Sequence, residues 1–194
     1  MSSGVNQACV KDTTAAGAAN CSTPQQNYKY IESHIFVLNS MLDAWQMGSI
    51  FQPGCSSPTK CNATQITELD SYQHDFFTAI SGFGTYRKAG NGAFLYNCIL
   101  HCGEQDTDGF NQIALPGSTP ATATATATAT GGVDRQSRTV MQEALSTWWE
   151  SDGGDSAAAH TYVEGCSLDG PEACNPTCPG VTLTDWGAGA LSEQ

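Results

Sequence analysis

Two side chains capable of acid–base chemistry follow closely on apolar stretches of this sequence. Asp43 lies just beyond the apolar run Ile35–Asn39, and His101 comes soon after a second candidate strand, Gly92–Asn97. In open α/β sheets, ligands and catalytic groups gather at the carboxyl ends of the strands. If both runs belong to one parallel sheet, Asp43 and His101 are expected at the same end of it.

The order of these two residues matches the last two members of a Ser…Asp…His triad, as hydrolases of α/β architecture arrange it along the chain. In such a triad the aspartate holds the imidazole in one tautomer, and the histidine takes a proton from the serine. The remaining histidines are His34, His74 and His160. They precede a strand, lie on a polar helix face and follow an Ala-rich stretch, so we expect solvated or structural roles for them.

The elements that must position this pair are predicted to alternate between strand and helix. From about Gln65 to Ile80, apolar residues recur at steps of three and four, and Gly82 supplies a stop. A second helix is predicted from about Val140 to Glu150, with Thr139 and Gln142 as its capping box. The order strand, helix, strand, helix indicates an α/β fold with a mostly parallel sheet flanked by helices.

Three segments are predicted to lack regular structure. Residues 1–27 are polar and turn-rich, and residues 48–63 carry Gly, Pro, Ser and two cysteines, which is typical of a stapled loop. Residues 117–132 contain a run of Ala-Thr pairs with no periodic apolar face, which favours a disordered insertion. An O-glycosylated loop is the alternative for this tract, and it requires no domain boundary.

Charge excludes one class of partner. The 194 residues include 7 basic and 19 acidic side chains, for a formal net charge of −12. Nucleic-acid binding requires clustered Lys and Arg to displace counterions from phosphates, and no such cluster occurs here. No apolar run approaches the roughly 20 residues of a membrane span. The His, Asp and Cys spacings match no metal-ligand pattern, so no cofactor is expected.

The nine cysteines indicate an oxidising compartment. Cys9 with Cys21 and Cys55 with Cys61 are predicted to close short loops, whereas the pairing of the other five stays open (Cys98, Cys102, Cys166, Cys174 and Cys178). Sequons begin at Asn20 and Asn62, as in a secreted glycoprotein. The sequence from Met1 has no signal peptide, and the cysteine count is odd. Both observations lead us to expect that the first part of the protein is missing from this sequence.

Five segments together resemble the pectin acetylesterase/Notum family, and the plant-type pectin acetylesterases more closely than Notum. They follow the family's order along the chain: residues 36–46 (FVLNSMLDAWQ), 76–84 (FFTAISGFG), 97–102 (NCILHC), 148–149 (WW) and 174–178 (CNPTC). The resemblance implies that residues 1–194 are the C-terminal part of an α/β-hydrolase-like domain. It also implies a serine carboxylester hydrolase acting on acetylated polysaccharide, with Asp43 as the triad acid and His101 as the triad base.

The departures from the family pattern bear on activity. Leu42 replaces the usual aromatic residue before Asp43, and the Ala-Thr tract is an insertion. The Gly-x-Ser-x-Gly elbow and the oxyanion-hole donors that the resemblance implies are absent from these residues. Gly165-Cys166-Ser167 lacks the second glycine and follows the histidine, which disfavours Ser167 as a nucleophile. We therefore expect this chain to be inactive alone.

Two other interpretations remain open at this point. The chain is alternatively a secreted, non-catalytic carbohydrate-binding or interaction module derived from the hydrolase, although such a module has no need of both Asp43 and His101. A disulfide-rich structural protein without a site leaves the order of the motifs unexplained. The acyl group, the alcohol that carries it and the oligomeric state are not predicted.

Overall fold

A computed structural model describes residues 5–12, 18–55, 60–82, 88–103, 105, 107–116, 138–151, 160–165, 175 and 177–179. The Ala-Thr tract predicted as a disordered insertion lies outside these ranges. So do Cys166, Ser167 and Cys174. Among the described residues, no helix is both long enough and apolar enough to cross a bilayer.

The described chain alternates between helices and strands. The helices are α1 (Gln7–Asp12), α2 (Pro24–Asn27), α3 (Ala44–Gln46), α4 (Ala63–Gly82), α5 (Thr107–Gln112) and α6 (Met141–Glu150). The strands are β1 (Phe36–Ser40), β2 (Gly92–Tyr96), β3 (Ala114–Pro116), β4 (Arg138–Val140) and β5 (Thr161–Val163). The strands and helices predicted around Ile35, Gln65, Gly92 and Val140 are thus confirmed within a few residues.

A three-stranded parallel sheet of order β1-β2-β5 forms the centre of the fold. Phe36 pairs with Gly92 and Ser40 with Tyr96, while Phe94 pairs with Tyr162 on the other side of β2. The sheet is parallel because α4 carries the chain from the end of β1 back to the start of β2. Strands β3 and β4 form a separate antiparallel pair. These elements confirm the predicted α/β fold.

Both faces of the sheet are covered, as the continuous apolar runs of β1 and β2 predict. On one face, Phe94 and Tyr96 pack against Met141 and Ala144 of α6. The opposite face packs against α4 through the following residues: Val37, Met41, Ala93, Leu95, Phe76, Phe77 and Ile80. Strand β2 is completely buried between the two layers.

The starts of the two long helices differ in how they are capped. At α4, Asn62 and Gln65 form a reciprocal capping box, in which each side chain accepts the other's backbone N–H at 3.0 and 2.9 Å. At α6 the predicted box of Thr139 and Gln142 is wrong by one residue. The helix begins after Val140, whose N–H donates to the Glu143 carboxylate at 3.4 Å. Valine has no side-chain acceptor, so only half of a box forms.

Three disulfides join described residues. Cys9–Cys21 and Cys55–Cys61 confirm the two predicted local pairs. Cys98–Cys178 connects residues 80 positions apart and settles one of the pairings that the sequence left open. The predicted loops contain more regular structure than expected. The segment before Cys55 begins with a π-helical turn, Met47–Phe51, and the N-terminal region forms short helices.

Candidate active site

Asp43 lies three residues beyond the end of β1 and is 5% exposed. It is the N-cap of α3, where its Oδ1 accepts the backbone N–H of Gln46 at 2.7 Å. An aspartate is a preferred N-cap because its carboxylate satisfies an N–H that the helix leaves without a partner. This contact fixes the orientation of the carboxylate and leaves Oδ2 for a second partner.

That partner is His101, which follows β2. The Asp43 Oδ2 and His101 Nδ1 atoms are 2.8 Å apart. The His101 side chain is 40% exposed, whereas the Asp43 side chain is 8% exposed. The structure therefore brings together the two residues singled out in the sequence, with the carboxylate buried behind an imidazole that solvent reaches.

Backbone hydrogen bonds hold the two loops that carry this pair against each other. Met41 N–H donates to Tyr96 O at 2.7 Å, and Ala44 N–H donates to Leu100 O at 3.1 Å. The first bond continues the β1–β2 ladder by one step, and the second joins the two loops beyond it, so Asp43 and His101 meet past the carboxyl ends of the strands. Directly after His101, Cys102 adopts a positive φ of 54°.

The start of the histidine loop is anchored by a buried carboxylate that the sequence did not reveal. Glu164 follows β5, is 7% exposed, and accepts the Asn97 backbone N–H and the Asn175 side-chain amide through the same oxygen, each at 3.0 Å. Burial raises the pKa of Glu164, although the hydrogen bonds from Asn97 and Asn175 oppose the rise. Short β5 has no clear local periodicity, so Glu164 carried no sequence signal.

The polar contacts behind Asp43 extend into helix α4. Tyr72 donates its hydroxyl hydrogen bond to Gln46 Oε1 at 3.0 Å, so Gln46 contacts both the helix and the candidate aspartate. Burial, and then the negative charge of Asp43, raise the pKa of Tyr72 to about 12. The phenol therefore stays neutral and acts as a hydrogen-bond donor across the ordinary pH range.

The nearby serines differ in how accessible they are. Ser40 is 2% exposed, donates to the Cys98 carbonyl and accepts the Leu42 N–H at 3.0 Å. Its hydroxyl is thus committed to holding the β1 and β2 loops together. Ser49 is exposed within the π-helical turn, without an elbow around it. Trp45 lies beside the imidazole, with ring centroids 6.1 Å apart, and is 43% exposed.

Chemically, a carboxylate bonded to Nδ1 of a half-exposed imidazole can hold one tautomer and stabilise the imidazolium after proton uptake. Within the described ranges, no three His, Cys, Asp or Glu side chains converge as metal ligands do. The fold and the pair together define a class: an α/β protein with an Asp–His hydrogen bond at the carboxyl ends of neighbouring parallel strands.

Comparison with known proteins identifies the family. The model of the Pectinacetylesterase family matches residues 1–179, so the chain belongs to that family. Among curated proteins, Pectin acetylesterase 5 of Arabidopsis thaliana is 27% identical over 191 residues, which cover 93% of this chain and 37% of that protein. Pectin acetylesterase 11 of the same plant is 24% identical over 176 residues, or 85% of this chain and 38% of the relative.

The chain therefore spans less than two fifths of the length of these relatives. No solved structure matches significantly. Family membership confirms the resemblance drawn from the five sequence segments.

Proposed function

We propose that this chain supplies the acid and the base of a serine carboxylester hydrolase that removes O-acetyl groups from cell-wall polysaccharide. The observation that carries the proposal is the 2.8 Å contact between Asp43 Oδ2 and His101 Nδ1 beyond two adjacent parallel strands. Membership of the Pectinacetylesterase family supplies the substrate class. The fold, the pair and the family thus support one chemistry.

In the proposed reaction, His101 Nε2 takes the proton of a serine hydroxyl as that oxygen attacks the acetyl carbonyl carbon. The sugar alcohol leaves with this proton, and the acetyl group stays on the serine as an ester. Water then attacks the acyl-enzyme with His101 again as the base, which releases acetate and restores the hydroxyl. Asp43 remains a carboxylate throughout and stabilises the imidazolium.

The serine and the oxyanion-hole donors are proposed to come from polypeptide outside these 194 residues. The printed sequence contains no Gly-x-Ser-x-Gly segment. Ser40, which is closest to Asp43 along the chain, is buried and uses its hydroxyl in two structural hydrogen bonds. We therefore expect the 194-residue chain alone to be inactive, since the groups that make and stabilise the new bond are elsewhere.

The same proposal includes location. Three disulfides among the described residues favour an oxidising compartment, so we assign the chain to the extracellular space or cell wall. Asn20 and Asn62, which begin the two sequons, are both exposed. They are proposed as N-glycosylation sites of the secreted protein.

The test is an esterase assay on a chimera. In this chimera, the part of Pectin acetylesterase 5 that the match does not cover precedes the 194 residues. With p-nitrophenyl acetate we expect turnover by the chimera and none by the 194-residue chain. His101→Ala should lower kcat by about 10³-fold or more, as loss of a triad base does. His74→Ala is the matched control, because His74 is an exposed histidine on α4.

Turnover by the 194-residue chain, or a chimera unaffected by His101→Ala, would overturn the proposal. A non-catalytic polysaccharide-binding module is the alternative, and the missing Gly-x-Ser-x-Gly segment favours it. That alternative predicts an inactive chimera, together with binding of acetylated pectin by the 194-residue chain that Asp43→Asn leaves unchanged.

A further inference from the structure

The Trp45 side chain is an exposed aromatic surface beside the candidate base. Its ring centroid lies 6.1 Å from that of His101, whose imidazole is itself half-exposed. Ala44 and Met47, which flank Trp45 in the same helical segment, are completely buried. The segment therefore packs through one face and presents the indole on the other, next to the imidazole.

The contacts that hold the Asp–His pair also fix the position of this indole. Trp45 lies two residues beyond Asp43, in the three-residue helix that Asp43 caps. Ala44 donates its N–H to Leu100 O at 3.1 Å, and Gln46 donates its N–H to Asp43 Oδ1 at 2.7 Å. The backbone on both sides of Trp45 is thus bonded to the site, which keeps the indole at a set distance from the imidazole.

Asp43 also determines which imidazole nitrogen is available to a substrate. Because His101 Nδ1 bonds Asp43 Oδ2 at 2.8 Å, Nε2 on the far side of the ring is left to exchange a proton with the substrate. In the proposed reaction, Nε2 protonates the sugar oxygen that leaves, and such a transfer requires a separation of about 2.6–3.2 Å. The sugar ring that carries this oxygen then lies directly beside the imidazole, in the space that borders Trp45.

The open setting of Trp45 favours a sugar within a polymer over a small enclosed ligand. Helix α4 lines two cavities, of about 450 and 360 Å³, and Trp45 lines neither of them. An enclosed pocket buries most of a small ligand, whereas an exposed indole lets a polymer continue on both sides of the bound sugar. A pyranose has a face made largely of C–H groups, and packing this face on an indole removes apolar surface from water.

We propose that Trp45 is a stacking platform for the pyranose ring that carries the leaving oxygen in an acetylated polysaccharide. This inference rests on the proposed function, which supplies the sugar ester and places the leaving oxygen at His101 Nε2. The platform orients the sugar through its C–H face, while His101 acts at the edge of the sugar ring. Trp45 is then a specificity-determining residue, which favours acetyl esters of sugars over acetyl esters of alcohols without a ring.

Kinetics on two acetyl esters in the chimera test the platform, with acetate release as the measurement for both. Acetylated pectin presents a pyranose to Trp45, whereas ethyl acetate presents no ring. Trp45→Ala should lower kcat/KM on acetylated pectin at least about tenfold more than on ethyl acetate, since one ring stacked on an aromatic side chain contributes about that much affinity. Most of this loss is expected in KM, because the contact is made in both the ground state and the transition state. Trp45→Phe keeps an aromatic face and should recover most of the preference.

Trp149→Ala is the matched control for an exposed tryptophan. Trp149 is more exposed than Trp45, and its neighbour Trp148 donates its indole N–H to Gly90 O at 2.7 Å, before the start of β2. The Trp148–Trp149 pair therefore lies toward the opposite end of the sheet from His101, and Trp149→Ala should not change the preference for acetylated pectin.

Three kinetic results would overturn the platform. Equal losses on the two esters from Trp45→Ala would show that the indole only supports His101. Equal losses on acetylated pectin from Trp45→Ala and Trp149→Ala would show a general effect of removing a surface tryptophan. A Trp45→Phe variant with no more preference than Trp45→Ala would show that an aromatic face is not what the substrate contacts.

A binding measurement separates this inference from the proposed function. If the chimera shows no turnover, acetylated pectin oligosaccharides are titrated calorimetrically into the 194-residue chain and its Trp45→Ala and Trp149→Ala variants. A Kd raised at least about tenfold by Trp45→Ala alone supports the platform and refutes only the proposed function. No binding by the native chain, or equal Kd values for the two variants, overturns the platform as well. An active chimera whose preference for acetylated pectin survives Trp45→Ala refutes the platform alone.

Discussion

Replacing Glu164 by alanine is expected to lower the free energy of unfolding by about 2–4 kcal/mol. The carboxylate is 7% exposed and accepts hydrogen bonds from the Asn97 N–H and the Asn175 amide. Without it, the buried Asn97 N–H loses its acceptor, and an unsatisfied buried group costs about 1–3 kcal/mol. The Asn175 amide keeps its second hydrogen bond, to Ala114 O at 3.3 Å. Losing its bond to Glu164 therefore adds less to the cost in stability.

Glutamine at position 164 should behave differently, because both hydrogen bonds end on the same carboxylate oxygen. An amide carbonyl oxygen there can accept both. Burial raises the pKa of Glu164, so the folded state binds its proton more tightly than the unfolded state does. This contribution to stability is fully present below the unfolded-state pKa and is lost as pH rises through the folded-state pKa. Glu164→Gln should therefore gain stability relative to the native chain between pH 4 and pH 8.

Urea unfolding followed by tryptophan fluorescence at both pH values measures these effects. Glu68→Gln is the control, because it neutralises an exposed carboxylate on α4. Equal stability of Glu164→Ala and Glu164→Gln would show that the two hydrogen bonds contribute nothing. A stability difference between the native chain and Glu164→Gln that does not change with pH would refute the raised pKa.

Three further predictions concern the site and its supports. Asp43→Asn in the chimera should lower kcat about 10⁴-fold on p-nitrophenyl acetate while leaving the urea midpoint nearly unchanged, because an amide favours the wrong imidazole tautomer. Replacing both Cys98 and Cys178 by alanine opens a loop of 80 residues and should cost about 2–5 kcal/mol in urea unfolding; an unchanged midpoint contradicts this. Tyr72→Phe should cost about 0.5–1.5 kcal/mol by removing the bond to Gln46, and it should delete a phenol that titrates near 12 in ultraviolet difference spectra.

The sequence predicted the parts of the fold that local patterns encode. The apolar run at Ile35–Asn39 and the period of Gln65–Ile80 are long enough to indicate a strand and a helix. The two short cysteine loops were also predictable from spacing. Cys98–Cys178 was not, because no local signal joins residues 80 positions apart.

For the candidate site, the sequence predicted that Asp43 and His101 belong together but not the residues that hold them in place. Asp43 and His101 follow parallel neighbours, which is why their loops meet. The roles of Gln46 and Glu164 depend on tertiary packing. Gln46, the last residue of α3, donates its backbone N–H to Asp43 and accepts the Tyr72 hydroxyl with its side chain. Glu164 directly follows a three-residue strand that is too short to show a period.

Labelling with a fluorophosphonate, followed by peptide mass spectrometry, tests the central claim most directly. The claim is that this chain contributes Asp43 and His101 but not the nucleophile. We predict no labelled serine in the 194-residue chain. In the chimera we predict one labelled serine within the Pectin acetylesterase 5 part, and His101→Ala should slow its labelling about 10³-fold or more. Labelling of Ser40, Ser49 or Ser167 that His101→Ala abolishes would contradict the account.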